Sequence, residues 1–528
     1  MRLFARPLPL LLLVTALFTF LIQSGELGTS DTTQRLQVTH SLWTSQPQIF
    51  PDQYPELGIH GRGGRLYASY GIGQSLLMLP ADLIGSAVAH LPLWRDYASS
   101  ETDPNIRSII VSCSTNILLN VLTAFVSFHL LRLFSFSIRE SVAGTLGLLC
   151  ATTHLHYAQN MTENNYIFLL TLTGLTLQYL WLKTGSRRAL FWGSTALGLN
   201  LLTRITTTLD ILGVACFLLL TLFFAPREHY PAGRSLRTYL TTAVPVYAVF
   251  FSLDRIYQYI RFGSWTNTYV TVLAHESRQR DPTLPANFPF NGSWFHGGLN
   301  SGVFGPLFSP EKSIFLFDPI FPLALLLAAL LWKRLSSPMQ AFLIAMLLLL
   351  AGYIAFYAGF LWWPGDFAWG ARYISSVVEL ISLLAIPLLL RYRSVLIQPV
   401  RRLAFTIIAA STVIQCASLA FWLPLEIYQE DTFGHPTWVI PLRFKNIAAF
   451  ALGRREAWGL NTPSMFADSW DAAHLTTWNF LPSLLRHIGA VPLWSVHVLY
   501  VVWFAVAVAL VVTSVRLIHV ALRPSVES

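Results

Sequence analysis

The sequence predicts an all-α polytopic membrane protein, and two observations carry that prediction. The chain has 528 residues, of which 54% are hydrophobic and only 12% are charged, whereas an average soluble domain has about 25% charged residues. Its apolar residues form long runs across nearly the whole chain, and such runs cross a bilayer as helices. Together these features exclude a disordered protein, a coiled coil and an ordinary soluble enzyme.

The distribution of basic residues sets the predicted topology. The formal net charge is +9, but no basic aromatic module accompanies it, and we expect no nucleic-acid partner. Lys and Arg gather instead in the cytoplasmic loops of membrane proteins. If residues 72–92 crossed the membrane, the basic clusters at 132–139 and 183–188 would lie outside. If that segment lies in the interface as an amphipathic helix, most basic clusters lie inside, so we predict an interfacial helix.

With that choice, about twelve helices are predicted to cross the membrane, with both termini in the cytoplasm. They cover residues 8–23, 106–131, 141–158, 165–183, 189–203, 206–224, 236–258, 314–332, 339–361, 373–390, 403–423 and 493–517. Long loops at 24–105, 259–313 and 424–492 then lie on the outer face, where loops tend to carry function. We divide the chain into a membrane module (1–423, including the first outer loop), an outer loop or cap (424–492), and a last helix with a cytoplasmic tail (493–528).

The first outer loop begins with an acid at the membrane surface. Asp31 follows the first span, and Ser30 or Asp31 is a good N-cap for an interfacial helix whose apolar face would hold Leu36 and Val38. Two interpretations are open. Asp31 either caps that helix or acts as a general base at the lipid–water boundary.

The same loop continues into a stretch rich in arginine, tyrosine and glycine. Arg62, Arg65, Tyr67 and Tyr70 lie within residues 62–74. Arginine forks bind phosphate oxygens and glycine lets the backbone approach a ligand, so this stretch is a candidate site for a lipid phosphate. Arg and Tyr also anchor proteins among headgroups, and that interpretation is equally open.

Polar residues are also dense in the outer connection at residues 154–164. Glu163 is a candidate acid that positions an acceptor, because ionisable groups near the apolar zone are costly and often functional. His154 and His156 are two residues apart, a spacing that suits a pair of helical metal ligands poorly. We therefore predict no metal site here.

Two further outer turns combine charged and aromatic residues. Lys312 lies just before the span at 314–332, and the turn at 362–373 contains Asp366 and Arg372 among tryptophans. An aromatic belt explains the tryptophans, but an acid and an arginine exceed what anchoring needs. This turn is a candidate sugar site, and an Asp366–Arg372 pair that locks the helix start is the other interpretation.

Together these segments resemble polytopic GT-C-type glycosyltransferases, the clan of protein mannosyltransferase-like and aminoarabinose-transferase-like enzymes, in a bacterial branch of that clan. The resemblance covers residues 1–390. It is carried by Asp31, by residues 64–77, by residues 307–312, by residues 369–373 and by Arg204, which matches a recurrent membrane-embedded arginine. It implies a GT-C-like fold of about twelve transmembrane helices with interfacial helices in the first outer loop.

The resemblance also implies a reaction. Such enzymes take a sugar from a polyprenyl-phosphate carrier and pass it, with inversion, to a glycan, lipid or protein acceptor on the outer face. Asp31 would be the base and Glu163 a second catalytic acid. The donor phosphate would bind Arg62, Arg65, Tyr67, Tyr70, Lys312 and Arg372, and the substrate would bind His156, Asp366, Trp369 and Tyr373. The expected location is the bacterial inner membrane.

One position departs from the pattern of these relatives. They commonly carry a phosphate-binding lysine where this chain has Ser69, so Arg62, Arg65 or Lys312 would have to supply the charge, or the donor differs. No cofactor is implied. Metal use varies across the clan, and the sequence shows no clear set of metal ligands.

Two other classes of function are open. A transporter or flippase of a lipid-linked glycan needs ionisable residues along a path through the membrane, and Arg204 and Asp210 are the candidates. The absence of an evident internal repeat weighs against an inverted-repeat transporter. A third possibility is an assembly protein whose 424–492 loop recruits a partner.

Overall fold

Apolar helices dominate the structure of the chain, which is a computed structural model. It describes residues 6–51, 58–97, 104–224, 232–365, 368–422, 425–426, 429, 438–454, 477–489 and 491–522. Within these residues the only sheet has two short strands. The all-α prediction is therefore confirmed.

The segment predicted to form the first outer loop contains two helices and a hairpin. The first helix of the chain is α1 (Pro7–Ile22). After it come α2 (Ser30–Ser41), β1 (Gly58–His60), β2 (Leu66–Ala68) and α3 (Gly73–Ala89), in that order. The two strands are antiparallel, with Ile59 opposite Tyr67. The helices α2 and α3 stand where the sequence predicts interfacial helices.

The remaining helices follow in chain order. They are α4 (Ile106–Leu133), α5 (Ile138–Ala151), α6 (His154–Gln159), α7 (Glu163–Thr184), α8 (Arg187–Leu201), α9 (Thr208–Phe224), α10 (Ala232–Phe262), α11 (Tyr269–Arg280), α12 (Gly305–Phe308), α13 (Ile314–Phe317), α14 (Ile320–Leu331), α15 (Ser337–Tyr357), α16 (Ser375–Ser382), α17 (Ala385–Arg391), α18 (Gln398–Ser418), α19 (Val439–Ala451), α20 (Leu481–Ile488) and α21 (Leu493–Leu522). Short 3-10 turns occupy Arg62–Gly64, Pro92–Tyr97, Ile205–Thr207, Gly298–Asn300 and Trp332–Arg334.

Six of the described helices are long and apolar enough to cross a membrane. They are α4, α9 with the turn before it, α10, α15, α18 and α21. The largest buried cluster draws on five of these six helices, all but α21, together with α7, α14 and α16, and it includes Phe217 and Phe342. The chain is thus a multi-pass membrane protein, and the count of twelve spans stays a prediction.

Three predicted spans are interrupted in the structure. The 141–158 segment divides into α5 and α6, the 314–332 segment into α13 and α14, and the 373–390 segment into α16 and α17. Their apolar runs are nearly continuous in sequence, so helical periodicity alone does not reveal the interruptions.

A buried polar network links the first two of these interruptions to each other and to Glu379 of α16. The backbone N–H of Thr153 donates to Asp318 at 2.6 Å, and the Thr153 hydroxyl donates to the same carboxylate at 3.1 Å. Nδ1 of His154 lies 3.2 Å from Glu379, and its Nε2 lies 2.8 Å from the amide oxygen of Asn120. Backbone and side-chain polar groups released by the helix ends thereby find partners away from water.

The described residues of the predicted 424–492 cap pack directly on the bundle. Arg443 of α19 donates to the carbonyls of Ser418 and Phe421 at 3.2 and 3.0 Å and pairs with Glu426 at 2.5 Å. Further along, the backbone N–H of Leu481 donates to the carbonyl of Gln23 at 2.7 Å. The division of the chain at residue 424 stays a prediction.

Candidate functional site

Asp31 lies in the first turn of α2, with its carboxylate held by two residues from elsewhere in the chain. It accepts a hydrogen bond from the Tyr70 hydroxyl at 2.6 Å and another from Nη1 of Arg372 at 3.2 Å. The N-cap of α2 is Thr29, and no side chain caps the helix. The capping interpretation of Asp31 is therefore wrong. Its side chain is 20% exposed.

The charges around Asp31 keep it ionised. Burial raises the pKa of Asp31, but the guanidinium groups of Arg372 and Arg35, together with the Tyr70 hydrogen bond, outweigh burial and hold that pKa below its ordinary value of 3.8. Asp31 is therefore a carboxylate at neutral pH and can accept a proton.

Arginines surround a second carboxylate next to this one. Glu163, at the start of α7, pairs with both Arg35 and Arg204. Arg35 lies one helical turn beyond Asp31 on α2, and its guanidinium lies 4.2 Å from the centre of the Tyr70 ring. Its Nη1 is buried and has no hydrogen-bond partner among the described residues. With Arg372, three arginines face two carboxylates, which leaves a surplus positive charge.

Two stacked tyrosine rings border the cluster. The guanidinium groups of Arg204 and Arg372 lie 4.9 and 5.1 Å from the centre of the Tyr373 ring. Tyr373 stacks in turn on Tyr357, with their ring centres 4.4 Å apart. Arg204, Arg372, Tyr373 and Thr206 line a small cavity, with room for about one water molecule.

Two predicted site residues support the turn that carries Arg372. The Lys312 ammonium donates to the carbonyl of Ala368 at 2.6 Å. His156 stacks on Trp369 with ring centres 5.6 Å apart, and both side chains are buried. Lys312 and His156 are therefore buried against the turn that contains Trp369, and none of the three side chains lies on an open surface.

The conformation of the same turn depends on a glycine. Gly365 has a φ of 74°, in the left-handed region, and a Cβ at this position would lie 2.7 Å from Cγ of Arg372. Only glycine fits both the backbone and this close approach without strain.

Other predicted residues lie away from the cluster or outside the described residues. Arg62 and Arg65 are exposed between the two strands, and no contact among the described residues joins them to Asp31. Tyr67 on β2 packs against Phe262, with ring centres 6.2 Å apart. Asp366, and with it the predicted Asp366–Arg372 pair, lies outside the described residues.

Sequence reasoning missed two arginines that shape the site. Arg35 carries a recognisable signal, since it follows Asp31 by four residues and so shares its helix face. Arg261 has no such signal, because it stands at the end of an apolar helix. It is 1% exposed and donates to the carbonyls of Ala68 and Tyr70 at 2.7 and 3.0 Å. These bonds hold the end of β2 and the segment just after it, which carries Tyr70.

No metal is assigned to this cluster. Across the described residues, no group of three or more His, Cys, Asp or Glu side chains is arranged to hold a metal ion.

Comparisons with known proteins find a likeness among solved structures alone, and that likeness is distant. No protein-family model matches the chain, and no curated protein sequence matches it. Among solved structures, the chain is similar to an oligosaccharyltransferase from Archaeoglobus fulgidus in its apo form, with a TM-score of 0.45 and 14% sequence identity. The match covers 82% of this chain and 58% of that one. At this distance the likeness carries no argument about fold or activity.

Proposed function

We propose that the protein is a GT-C-like membrane glycosyltransferase that moves a sugar from a polyprenyl-phosphate carrier to an acceptor on the outer face, with inversion. The observation that supports the proposal best is the ionised Asp31 carboxylate beside Arg35, Arg204 and Arg372. The reaction needs a base on one side of the sugar and positive charge on the other. This cluster offers both within one site.

Asp31 is the proposed general base. As the acceptor oxygen bonds to the anomeric carbon, its proton passes to Asp31. The bond between that carbon and the phosphate oxygen breaks, and the electron pair stays on the phosphate. Attack and departure on opposite faces of the sugar invert the anomeric centre. A positioned base of this kind contributes roughly 10²- to 10⁴-fold in rate.

The three arginines are the proposed site for the departing lipid phosphate. A guanidinium fork matches phosphate oxygens, and a well-placed donor to a developing negative charge contributes about 3 kcal/mol. Arg35 and Arg204 would thereby bind the lipid phosphate, as a lysine at the position of Ser69 does in the GT-C-type enzymes that the sequence resembles. Arg62, Arg65 and Lys312 are not needed for that role.

The remaining predicted residues are proposed to position this machinery. Glu163 holds Arg35 and Arg204, and Tyr70 holds Asp31. His156 and Trp369 support the Arg372 turn, and Tyr373 offers an aromatic edge to the cavity. The proposed setting is the bacterial inner membrane, with both termini in the cytoplasm and a glycan, lipid or protein as acceptor.

A transfer assay with a matched pair of variants tests the proposal. Purified protein in nanodiscs receives a panel of radiolabelled polyprenyl-phosphate hexoses and pentoses together with a bacterial envelope extract. Label is then counted in the glycan, lipid and protein fractions. Asp31→Asn is expected to lower transfer by about 10²-fold or more. The control is Asp281→Asn. Asp281 is exposed in a predicted outer loop, and its carboxylate accepts a hydrogen bond from the Thr283 hydroxyl, so this variant is expected to leave transfer unchanged.

Two outcomes would contradict the proposal. Full transfer by the Asp31→Asn variant would remove Asp31 as the base. Passage of labelled lipid across the membrane of proteoliposomes without sugar transfer would favour the flippase alternative.

In the structure, both residues that are candidates for a flippase path have partners within the bundle. Arg204 pairs with Glu163, and Asp210 accepts hydrogen bonds from Thr171 and Tyr353, each at 2.9 Å.

A further inference from the structure

Part of the second long outer loop has the composition of a membrane-contacting surface. Between Pro282 and Pro310 there is no Asp, Glu, Lys or Arg. Six large apolar side chains in this segment are between 38% and 55% exposed, namely Phe290, Trp294, Phe295, Leu299, Phe304 and Phe308. An exposed set of this size on a monomer marks an interaction surface.

The segment is held at the end of a candidate membrane span. The backbone N–H of Gly292 donates to the carbonyl of Gly359, and the N–H of Leu361 donates to the carbonyl of Pro289, each at 2.8 Å. Both Gly359 and Leu361 lie just beyond the last residue of α15. The loop is therefore fixed at the level where α15 leaves the apolar zone.

The exposed aromatic rings continue the outer surface of the neighbouring helices. Phe290 lies against Phe356 of α15, with ring centres 5.8 Å apart, and Phe356 is itself 41% exposed. On the other side, Phe308 lies 5.8 Å from Phe315 and 6.5 Å from Phe304, ring centre to ring centre. The apolar surface thus runs without a charged residue from α15 onto the loop.

We propose that residues 282–310 insert their aromatic side chains into the outer leaflet, at the boundary between headgroups and acyl chains. Trp and Phe favour this boundary, and the segment has no Asp, Glu, Lys or Arg side chain whose desolvation would oppose entry. Its irregular backbone excludes the hydrocarbon centre but is compatible with the hydrated boundary. Continuity with the surface of α15 favours lipid over a protein partner.

Spin-label accessibility in nanodiscs tests this proposal. The native cysteines Cys113, Cys150, Cys216 and Cys416 are first replaced by alanine. Single labels are then placed by Phe295→Cys and Leu299→Cys, at positions 55% and 53% exposed. Leu348→Cys on α15, 57% exposed, is the lipid reference. Arg280→Cys, 63% exposed on α11, is the aqueous reference. Collision rates with molecular oxygen, which concentrates in lipid, and with a water-soluble nickel chelate are measured by power saturation.

The expected result is a high oxygen-to-nickel ratio at positions 295 and 299, close to that at 348 and well above that at 280. A ratio equal to that at position 280 at both sites would place the loop in water and overturn the proposal. Labels shielded from both reagents would place the loop against protein, either a second copy or a partner, and would equally overturn it. Because both labelled positions are exposed, the labels should not disturb folding, and gel filtration of each variant checks this.

Discussion

Replacing Glu163 by glutamine removes the carboxylate that pairs with two arginines in the proposed site. The side chains of Glu163 and Arg35 are each 4% exposed, and that of Arg204 is 15% exposed. Removing one partner of a buried ion pair leaves an uncompensated charge and costs about 3–5 kcal/mol. Asp31 lies close enough to Arg35 to offset part of that loss, so we expect a cost near the lower end, about 3 kcal/mol.

A double-mutant cycle measures this coupling. Free energies of unfolding are compared in mixed micelles of mild detergent and increasing SDS for the wild type, Glu163→Gln, Arg204→Gln and the double variant. The two changes act on one network, so their costs should fall short of additivity by about 1–3 kcal/mol. As a control, Arg280→Gln removes an arginine that is 63% exposed, and its cost should stay below about 1 kcal/mol.

Two results would refute this account of the cluster. Strictly additive costs would mean that Glu163 and Arg204 are not energetically coupled. A cost for Glu163→Gln no larger than that of the Arg280→Gln control would mean that Glu163 does not stabilise the buried arginines.

Three further predictions concern the groups that position Asp31 and Arg372. Because the pKa of Asp31 is depressed, its contribution to stability is present above pH 4 and is lost as pH falls through the folded pKa. Tyr70→Phe removes a hydrogen bond to that carboxylate, so the acid limb of the transfer-rate profile should move to higher pH; an unmoved limb contradicts this. Arg261→Lys loses the paired bonds to the hairpin carbonyls, so amide exchange at residues 66–70 should accelerate about tenfold for each 1.4 kcal/mol lost, and unchanged exchange would refute the anchoring role. Gly365→Ala places a Cβ against Arg372 at a positive φ, so the free energy of unfolding should fall by about 1–3 kcal/mol. A variant with wild-type thermal stability and full transfer would contradict that packing.

Much of the fold can be predicted from the sequence, because the bilayer constrains local composition. The apolar runs predict all six of the long apolar helices that the structure describes. Ser30 and Asp31, the two N-cap candidates in the sequence, predict the start of α2 to within two residues of its N-cap, Thr29. The helix interruption at Asp318–Pro319, unlike these elements, is not predicted from local sequence. It depends on hydrogen bonds between Asp318 and Thr153, and Thr153 is distant in sequence.

The site is only partly predictable, because residues that are distant in sequence make its contacts. Asp31, Glu163 and Arg372 stand out in the sequence as ionisable residues at the membrane surface. Their partners do not, since Arg372 lies 341 positions from Asp31 in the chain, and no local pattern encodes that contact. The arginines most conspicuous in the sequence, Arg62 and Arg65, are exposed in the structure.

A density map of the protein in nanodiscs with added polyprenyl phosphate tests the central claim most directly. The account predicts phosphate density within hydrogen-bonding distance of the guanidinium groups of Arg35, Arg204 or Arg372, on the side that faces Asp31. A phosphate bound instead at Arg62 or Arg65, or a lipid lying along a groove through the bundle, would contradict it.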